Sequence, residues 1–190
     1  MIIAIVGMCG AGKSEVADVL VEEGFGFLRP GQITMDIVKE RGLEPTEENE
    51  RPIREEMREK YGMAAYAILN IEKIEKMKKE YKHIVIDGLY SWEEYLEFKN
   101  RYEKEFFTLA VYSSPEQRYE RLEKRAYNAK KDKEMRSRPF SYEDARARDK
   151  AEIENLNKAG PIAMSDKTII NNGSLDDLKE QSREFLKSFL

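Results

Sequence analysis

Apolar residues fall along this chain in two alternating rhythms. Short runs, Met1 to Val6, Phe25 to Leu28, His83 to Asp87, Phe106 to Tyr112 and Lys167 to Asn171, read as strands, the first of them buried. Between them apolar positions recur every third or fourth residue, the spacing of one helix face. Val16, Val19 and Leu20 mark a first helix from Ser14 to Glu22 that ends at Gly24. Arg29-Pro30-Gly31 is a turn, and a helix from Gln32 to Arg41 is closed by Gly42. Thr46 caps a long helical stretch reaching about Tyr81, with Ala64, Ile68, Ile71, Ile74 and Met77 on its core side and Gly62 as a candidate break. Ser91 and Glu94 form a capping box for the next helix. Ser114-Pro115 opens another, which carries Arg118, Arg121 and Arg125. Ser141 caps a helix bearing Arg146 and Arg148 that stops near Ala159-Gly160-Pro161, and Ser174 caps the last. Strands alternating with helices imply an α/β chain whose parallel sheet is covered on both faces. No repeat, low-complexity tract or linker interrupts the pattern, so residues 1–190 read as one domain.

Composition narrows this picture in only a few places. With 41% hydrophobic and 37% charged residues, the chain suits a globular protein with a highly charged surface. Its one cysteine excludes an internal disulfide framework and fits a reducing, cytoplasmic setting. No segment is long enough to span a bilayer, and Met1-Ile2-Ile3 runs straight into the first strand without a signal peptide. A pI near 5.4 argues against nucleic acid as the main partner. The charge is uneven, however. Arg118 to Lys150 holds 12 Lys or Arg against 7 Asp or Glu, a balance of +5 that leaves −9 on the rest of a chain whose total is −4. Two readings of that basic segment stand: it closes over an anionic ligand, or it is a solvated helix face.

The sharpest chemical signal follows the first strand. Gly7-Met8-Cys9-Gly10-Ala11-Gly12-Lys13-Ser14 fits the pattern G-x-x-x-x-G-K-[ST], between a strand and a helix, the context that such a phosphate-binding loop requires. Its glycines let the backbone curl until successive N–H groups face inward. The helix start adds its positive dipole end, Lys13 a point charge for the outer phosphates, and the Ser14 hydroxyl a ligand for Mg2+. The expected ligand is therefore a nucleoside triphosphate with magnesium.

Ligands of open α/β sheets bind beyond the carboxyl ends of the strands. There the third strand ends in Asp87-Gly88, a carboxylate suited to holding Mg2+ through water, or alternatively a turn aspartate. The second ends in Arg29, which either meets an acceptor's anionic group or lies at the surface. Arg51, Arg54 and Arg58 share one helical stripe. They either clamp an anionic acceptor or pair with Glu47, Glu48, Glu50, Glu55 and Glu56 around them. His83, the only histidine, is expected at the surface without a catalytic role. Cys9 sits where a thiolate is favoured, or is a small residue tolerated in the loop.

The phosphate loop, Lys39-Glu40-Arg41-Gly42-Leu43-Glu44-Pro45-Thr46, Arg58-Glu59-Lys60-Tyr61-Gly62, Val85-Ile86-Asp87-Gly88, Ser114-Pro115 with Arg118 and Arg121-Leu122, and Ile169-Ile170-Asn171-Asn172-Gly173-Ser174-Leu175 appear in that order. Together they resemble the adenylate-kinase-related, dephospho-CoA kinase-like P-loop proteins of the nucleoside monophosphate kinase superfamily. The resemblance implies a three-layer sandwich with a five-stranded parallel sheet in order 2-3-1-4-5, an acceptor-binding helical region at about 31–80 and a helical lid at about 125–148. It implies an ATP-dependent kinase with a small nucleotide-type acceptor, as monomer or homodimer. It gives Arg125 and Arg148 the role of lid arginines on the transferring phosphoryl group, and puts Asn172, Gly173 and Ser174 near the adenine.

The departures lie on the acceptor side. Relatives tend to have Gly-Asp at the second helix start and an arginine three residues later; here stand Gly31-Gln32 and Met35. Tyr90 replaces an arginine that often follows Val-Ile-Asp-Gly. A hydroxyl acceptor would require a carboxylate base, Asp87 first and Asp36 second. A nucleotide-dependent switch without acceptor is the competing class. Within it a GTPase is disfavoured because Asn157-Lys158-Ala159-Gly160 lacks the acid of the guanine motif, and an AAA+ machine by length and the missing oligomerisation lid.

Overall fold

The computed structural model describes residues 1–125 and 140–189. Much of the stretch expected to form the lid, 126–139, therefore lies outside the described residues. The elements run β1 (Ile2–Val6), α1 (Lys13–Glu22), β2 (Gly26–Leu28), α2 (Gln32–Glu40), α3 (Glu47–Tyr61), α4 (Ala65–Met77), β3 (Ile84–Asp87) and α5 (Trp92–Tyr102). After a 3-10 turn at Glu103–Glu105 come β4 (Phe106–Tyr112), α6 (Pro115–Glu123), α7 (Tyr142–Leu156), α8 (Ala159–Ala163), β5 (Lys167–Ile170) and α9 (Leu175–Phe189).

The sheet order is β2-β3-β1-β4-β5 and every pair is parallel. β1 sits at its centre, and all of its residues are buried. Ile2, Ala4 and Val6 face a layer built from Ala67, Ile74, Phe98 and Tyr102 of α4 and α5. Ile3 and Ile5 face Val16, Leu20, Leu178 and Leu186 of α1 and α9. β1, β3 and most of β4 are covered on both faces, which is why they read as largely apolar runs rather than alternating ones, whereas only Ile169 of the edge strand β5 is buried. This is the P-loop kinase type of sandwich.

The candidate break at Gly62 is where the long helix divides: its φ of 77° ends α3 before α4 begins. Local structure departs from expectation at three other points. Arg125 lies beyond the end of α6 rather than on it. The helix after Ser141 stops at Leu156, where Asn157 turns left-handed (φ 49°), and Ala159–Ala163 forms a separate short helix. His83 is only partly exposed: it stacks on Phe25 with ring centroids 5.1 Å apart, and desolvation pulls its pKa below the usual imidazole value.

Candidate active site

β1 delivers the chain into the loop Gly7 to Ser14, and α1 begins at Lys13. Gly12 caps that helix at φ 102°, and a Cβ there would collide with the side-chain amide of Asn171. That amide donates to the Ala11 carbonyl at 2.8 Å, so β5 braces the loop from behind. Gly7 needs the same freedom, because a Cβ would strike the Val111 carbonyl of β4. Within the loop the Met8 carbonyl accepts from the Ala11 N–H at 3.3 Å and from Lys13 Nζ at 3.1 Å. Ser14 Oγ donates to Asp87 Oδ2 at 3.0 Å, joining the first turn of α1 to the end of β3.

Around this loop the fold gathers cations. Lys13, Arg29, Arg125, Arg148 and Lys158 line one cleft together with Asp87, Glu152 and Tyr90. Burial and, after it, the neighbouring Lys158 charge lower the Lys13 pKa from 10.5 to about 8. Lys158 is itself 2% exposed. Its Nζ reaches Glu152 Oε2 at 2.6 Å, while Arg148 Nε donates to Glu152 Oε1 at 3.0 Å. Burial alone would raise the Glu152 pKa; the two cations outweigh it and hold the carboxyl at about 2. Arg148 also lies over the Phe140 ring at 5.1 Å, and Lys158 over the Tyr90 ring at 5.1 Å.

A second buried network fixes the wall that carries Arg148. Arg118 of α6 donates through Nε to the Ser113 carbonyl and through Nη1 to the Cys9 carbonyl, at 3.1 and 3.0 Å. It forms a bidentate pair with Asp149 of α7, which also accepts from the Tyr119 hydroxyl at 2.9 Å. Arg118 thus ties the end of β4, the phosphate loop and α7 together, and is not part of an open basic face.

Most residues singled out in the sequence converge here. Cys9, Gly10, Gly12, Lys13, Ser14, Arg29, Asp87, Tyr90, Arg125 and Arg148 line the cleft, and Gly7, Met8 and Ala11 supply the loop backbone that shapes it. Arg29 Nη1 donates to Gln32 Oε1 at 3.2 Å. Other candidates do not reach it. Arg54 pairs with Glu50 at 3.2 Å and Arg51 with Glu55 at 2.8 Å, the pairing alternative of the arginine stripe. Asn172 and Gly173 clasp α6: the Asn172 carbonyl accepts from Gln117, the Gly173 carbonyl from Arg121, and Asn172 Oδ1 from the Ser114 N–H. Asp36 is exposed on α2 and accepts from Gln32 Nε2 at 3.1 Å.

Sequence reasoning passed over Lys158, Glu152 and Asn171. The i,i+4 spacing of Arg148 and Glu152 was visible in the helical pattern. Lys158 had no such mark, since only the left-handed turn at Asn157 brings it back beneath the loop.

Ser14 Oγ and Asp87 Oδ2 are hard oxygen donors side by side at the lip of the loop, and they suit a magnesium ion that takes its remaining ligands from phosphates and water. Bound there, such an ion would neutralise charge on the outer phosphates.

Residues 3–148 match the AAA_18 family, described as an AAA domain. A UPF0200 protein of Thermococcus kodakarensis is 31% identical over 191 residues, spanning 100% of this chain and 98% of that protein. The shikimate kinase from Acinetobacter baumannii, solved in complex with shikimate, superposes with a TM-score of 0.55 at 15% identity, over 98% of this chain and 91% of that one. The dephospho-CoA kinase from Campylobacter jejuni does so with a TM-score of 0.54 at 14% identity, over 98% and 96%. At such identities the likeness concerns the fold. No helix among the described residues is long and apolar enough to cross a membrane. Loop, sheet order and sequence match agree that this chain belongs to the AAA_18 family of P-loop proteins, alongside the UPF0200 proteins.

Proposed function

We propose that the protein is an ATP-dependent phosphotransferase that moves the γ-phosphoryl group, with magnesium, onto a small acceptor. The observation that carries this reading is the ring of cations: Lys13 on the loop side, and Arg29, Arg125, Arg148 and Lys158 across the same cleft. Phosphoryl transfer asks little covalent chemistry of a protein; it asks for positioning and for positive charge around the group in flight. Lys13 and the start of α1 would hold the outer phosphates of the donor, Ser14 and Asp87 the metal, and Arg125 and Arg148 the transferring group. Asn172 and Gly173 at the end of β5 would border the donor base.

The acceptor in this reading is nucleotide-type, as in the nucleoside monophosphate kinase superfamily, with Arg29 and Tyr90 at its mouth. The alternative acceptor is a ribose hydroxyl, as dephospho-CoA kinase would use, with Asp87 as the base. A regulatory ATPase without acceptor is a second reading, favoured by the AAA description of the matched family and by the engagement of Arg54 with Glu50.

Purified protein with ATP and magnesium, offered nucleoside monophosphates, nucleosides and dephospho-CoA, tests the choice. A kinase loses ATP faster with one of these acceptors. Slow hydrolysis indifferent to all of them, and altered by a protein partner, would favour the ATPase.

A further inference from the structure

Arg118 of α6 and Arg148 of α7 spend their donors differently. Arg118 commits all three side-chain nitrogens: Nε to the Ser113 carbonyl, Nη1 to the Cys9 carbonyl and Asp149, and Nη2 to Asp149. Arg148 commits only Nε, to Glu152 Oε1 at 3.0 Å; among the described residues neither Nη donates a hydrogen bond. Lys158 does likewise. Of the ammonium's three protons, one goes to Glu152 Oε2 at 2.6 Å, and no other hydrogen bond from Nζ forms among the described residues. Both cations line the cleft, so their outer donors are open toward it. What holds them is one carboxylate with a cation on each oxygen. Glu152 is 5% exposed, lines the same cleft and stays ionised despite its burial. It is held in turn: Asp149, which Arg118 locks, lies one turn before it on α7, and its carbonyl accepts from the Lys158 N–H at 3.3 Å. A buried ionised triad costs desolvation that packed apolar side chains would avoid, so its place in the wall of an anion cleft calls for a role beyond folding.

We infer that Glu152 is a positioning residue: it grips Arg148 by its inner nitrogen and Lys158 by one proton, and so aims the two together at the terminal phosphoryl group of a triphosphate. The inference rests on the phosphotransferase reading and adds to it the group that keeps two of its cations in register. Charge alone demands the opposite behaviour. A carboxylate hydrogen-bonded to cations that must hold phosphates weakens their field, so removing it would tighten every phosphate ligand. Positioning demands that removing it loosen the triphosphate, because two long side chains regain their rotamers and must be ordered again on binding. A diphosphate, which does not reach the pair, responds only to the charge. The two accounts therefore differ in sign.

Calorimetry with AMP-PNP and with ADP, each with magnesium, is run on the wild type, Glu152→Gln, Arg148→Met and the double variant. Glu152→Gln should weaken AMP-PNP by about tenfold or more, while ADP is held as well as by the wild type or better. In the Arg148→Met background the same change should cost at least about threefold less than it does alone, since one of the side chains it aims is gone. Circular dichroism checks the fold. If Glu152→Gln is unfolded, Glu152→Asp, which keeps the charge on an arm too short to reach both cations, carries the same test with the same expected split between AMP-PNP and ADP. AMP-PNP held equally well or more tightly by the folded variant, equal losses of AMP-PNP and ADP, or full additivity with Arg148→Met would overturn the role of Glu152. Failure of AMP-PNP to bind the wild type would instead overturn the nucleotide reading, and this role with it.

Discussion

Replacing Lys13 by methionine should make the protein more stable while it loses its nucleotide. The side chain keeps its apolar stem and gives up an ammonium that the fold holds at a disadvantage. A shift from 10.5 to about 8 amounts to about 3 kcal/mol against the charged form at neutral pH. The ammonium still reaches water through the open cleft, so about 1–2 kcal/mol is the gain to expect in Lys13→Met. The Met8 carbonyl, which would lose one donor, keeps the Ala11 N–H. The pH dependence fixes the sign. Between about 8 and 10.5 the unfolded chain holds the Lys13 proton more tightly than the folded one, so wild-type stability rises with pH across that window. The advantage of the variant is therefore full below pH 8 and fades as pH approaches 10.5. Urea unfolding of both proteins at pH 7 and near pH 10 measures it, and calorimetry with ATP and magnesium should show binding lost. Phosphate oxygens beside the ammonium would restore its proton, so wild-type binding near pH 8 should take up about half a proton in buffers of differing ionisation enthalpy. A variant less stable than wild type at pH 7, or an advantage that persists unchanged at pH 10, would refute this reasoning.

Arg125→Ala should lower turnover by about two orders of magnitude and ATP affinity far less, since its charge would act on the transition state; equal losses in steady-state kinetics would remove it from that role. Burial raises the Glu94 pKa from 4.5 to about 7, against the relief given by the Tyr90 N–H and the Arg58 and Lys158 charges. Folding therefore favours the proton, and stability should fall by up to about 3 kcal/mol as pH rises through that window. Glu94→Gln should flatten the decline in denaturation midpoints measured from pH 5 to 8. Glu152→Ala strands the buried ammonium of Lys158 and should cost about 3–5 kcal/mol, read as a lowered Tm. In the wild type the carboxylate of Glu152, held at about 2, supports folding above pH 4.5 and loses that contribution as pH falls toward 2.

The sheet was legible in the sequence because β1, β3 and most of β4 are buried on both faces, which leaves largely apolar runs that a helix period does not fit. The phosphate loop was legible because its glycines and its Lys13-Ser14 pair are contiguous. What escaped was chemistry assembled across distance. Lys158 reaches the cleft through a left-handed residue that no local pattern announces, and the buried pair of Arg118 with Asp149 looks, in one dimension, like two more charges on polar helices. The arginine stripe of α3 shows the converse. Spacing placed Arg51, Arg54 and Arg58 on one side, but only packing could assign the first two to glutamates and bring the third against Tyr66.

The brace between Asn171 and Ala11 spans 160 positions of the chain. A contact of that range is closed late, after the entropy of a long loop has been overcome. During synthesis the phosphate loop leaves the ribosome well before Asn171, so it waits for the residue that follows β5 before its curvature is secured. We therefore expect a fragment ending at residue 165 to bind no ATP in a filter assay, although every glycine and the lysine of the loop are present. Competence to hold nucleotide would then report that translation has passed β5 and Asn171.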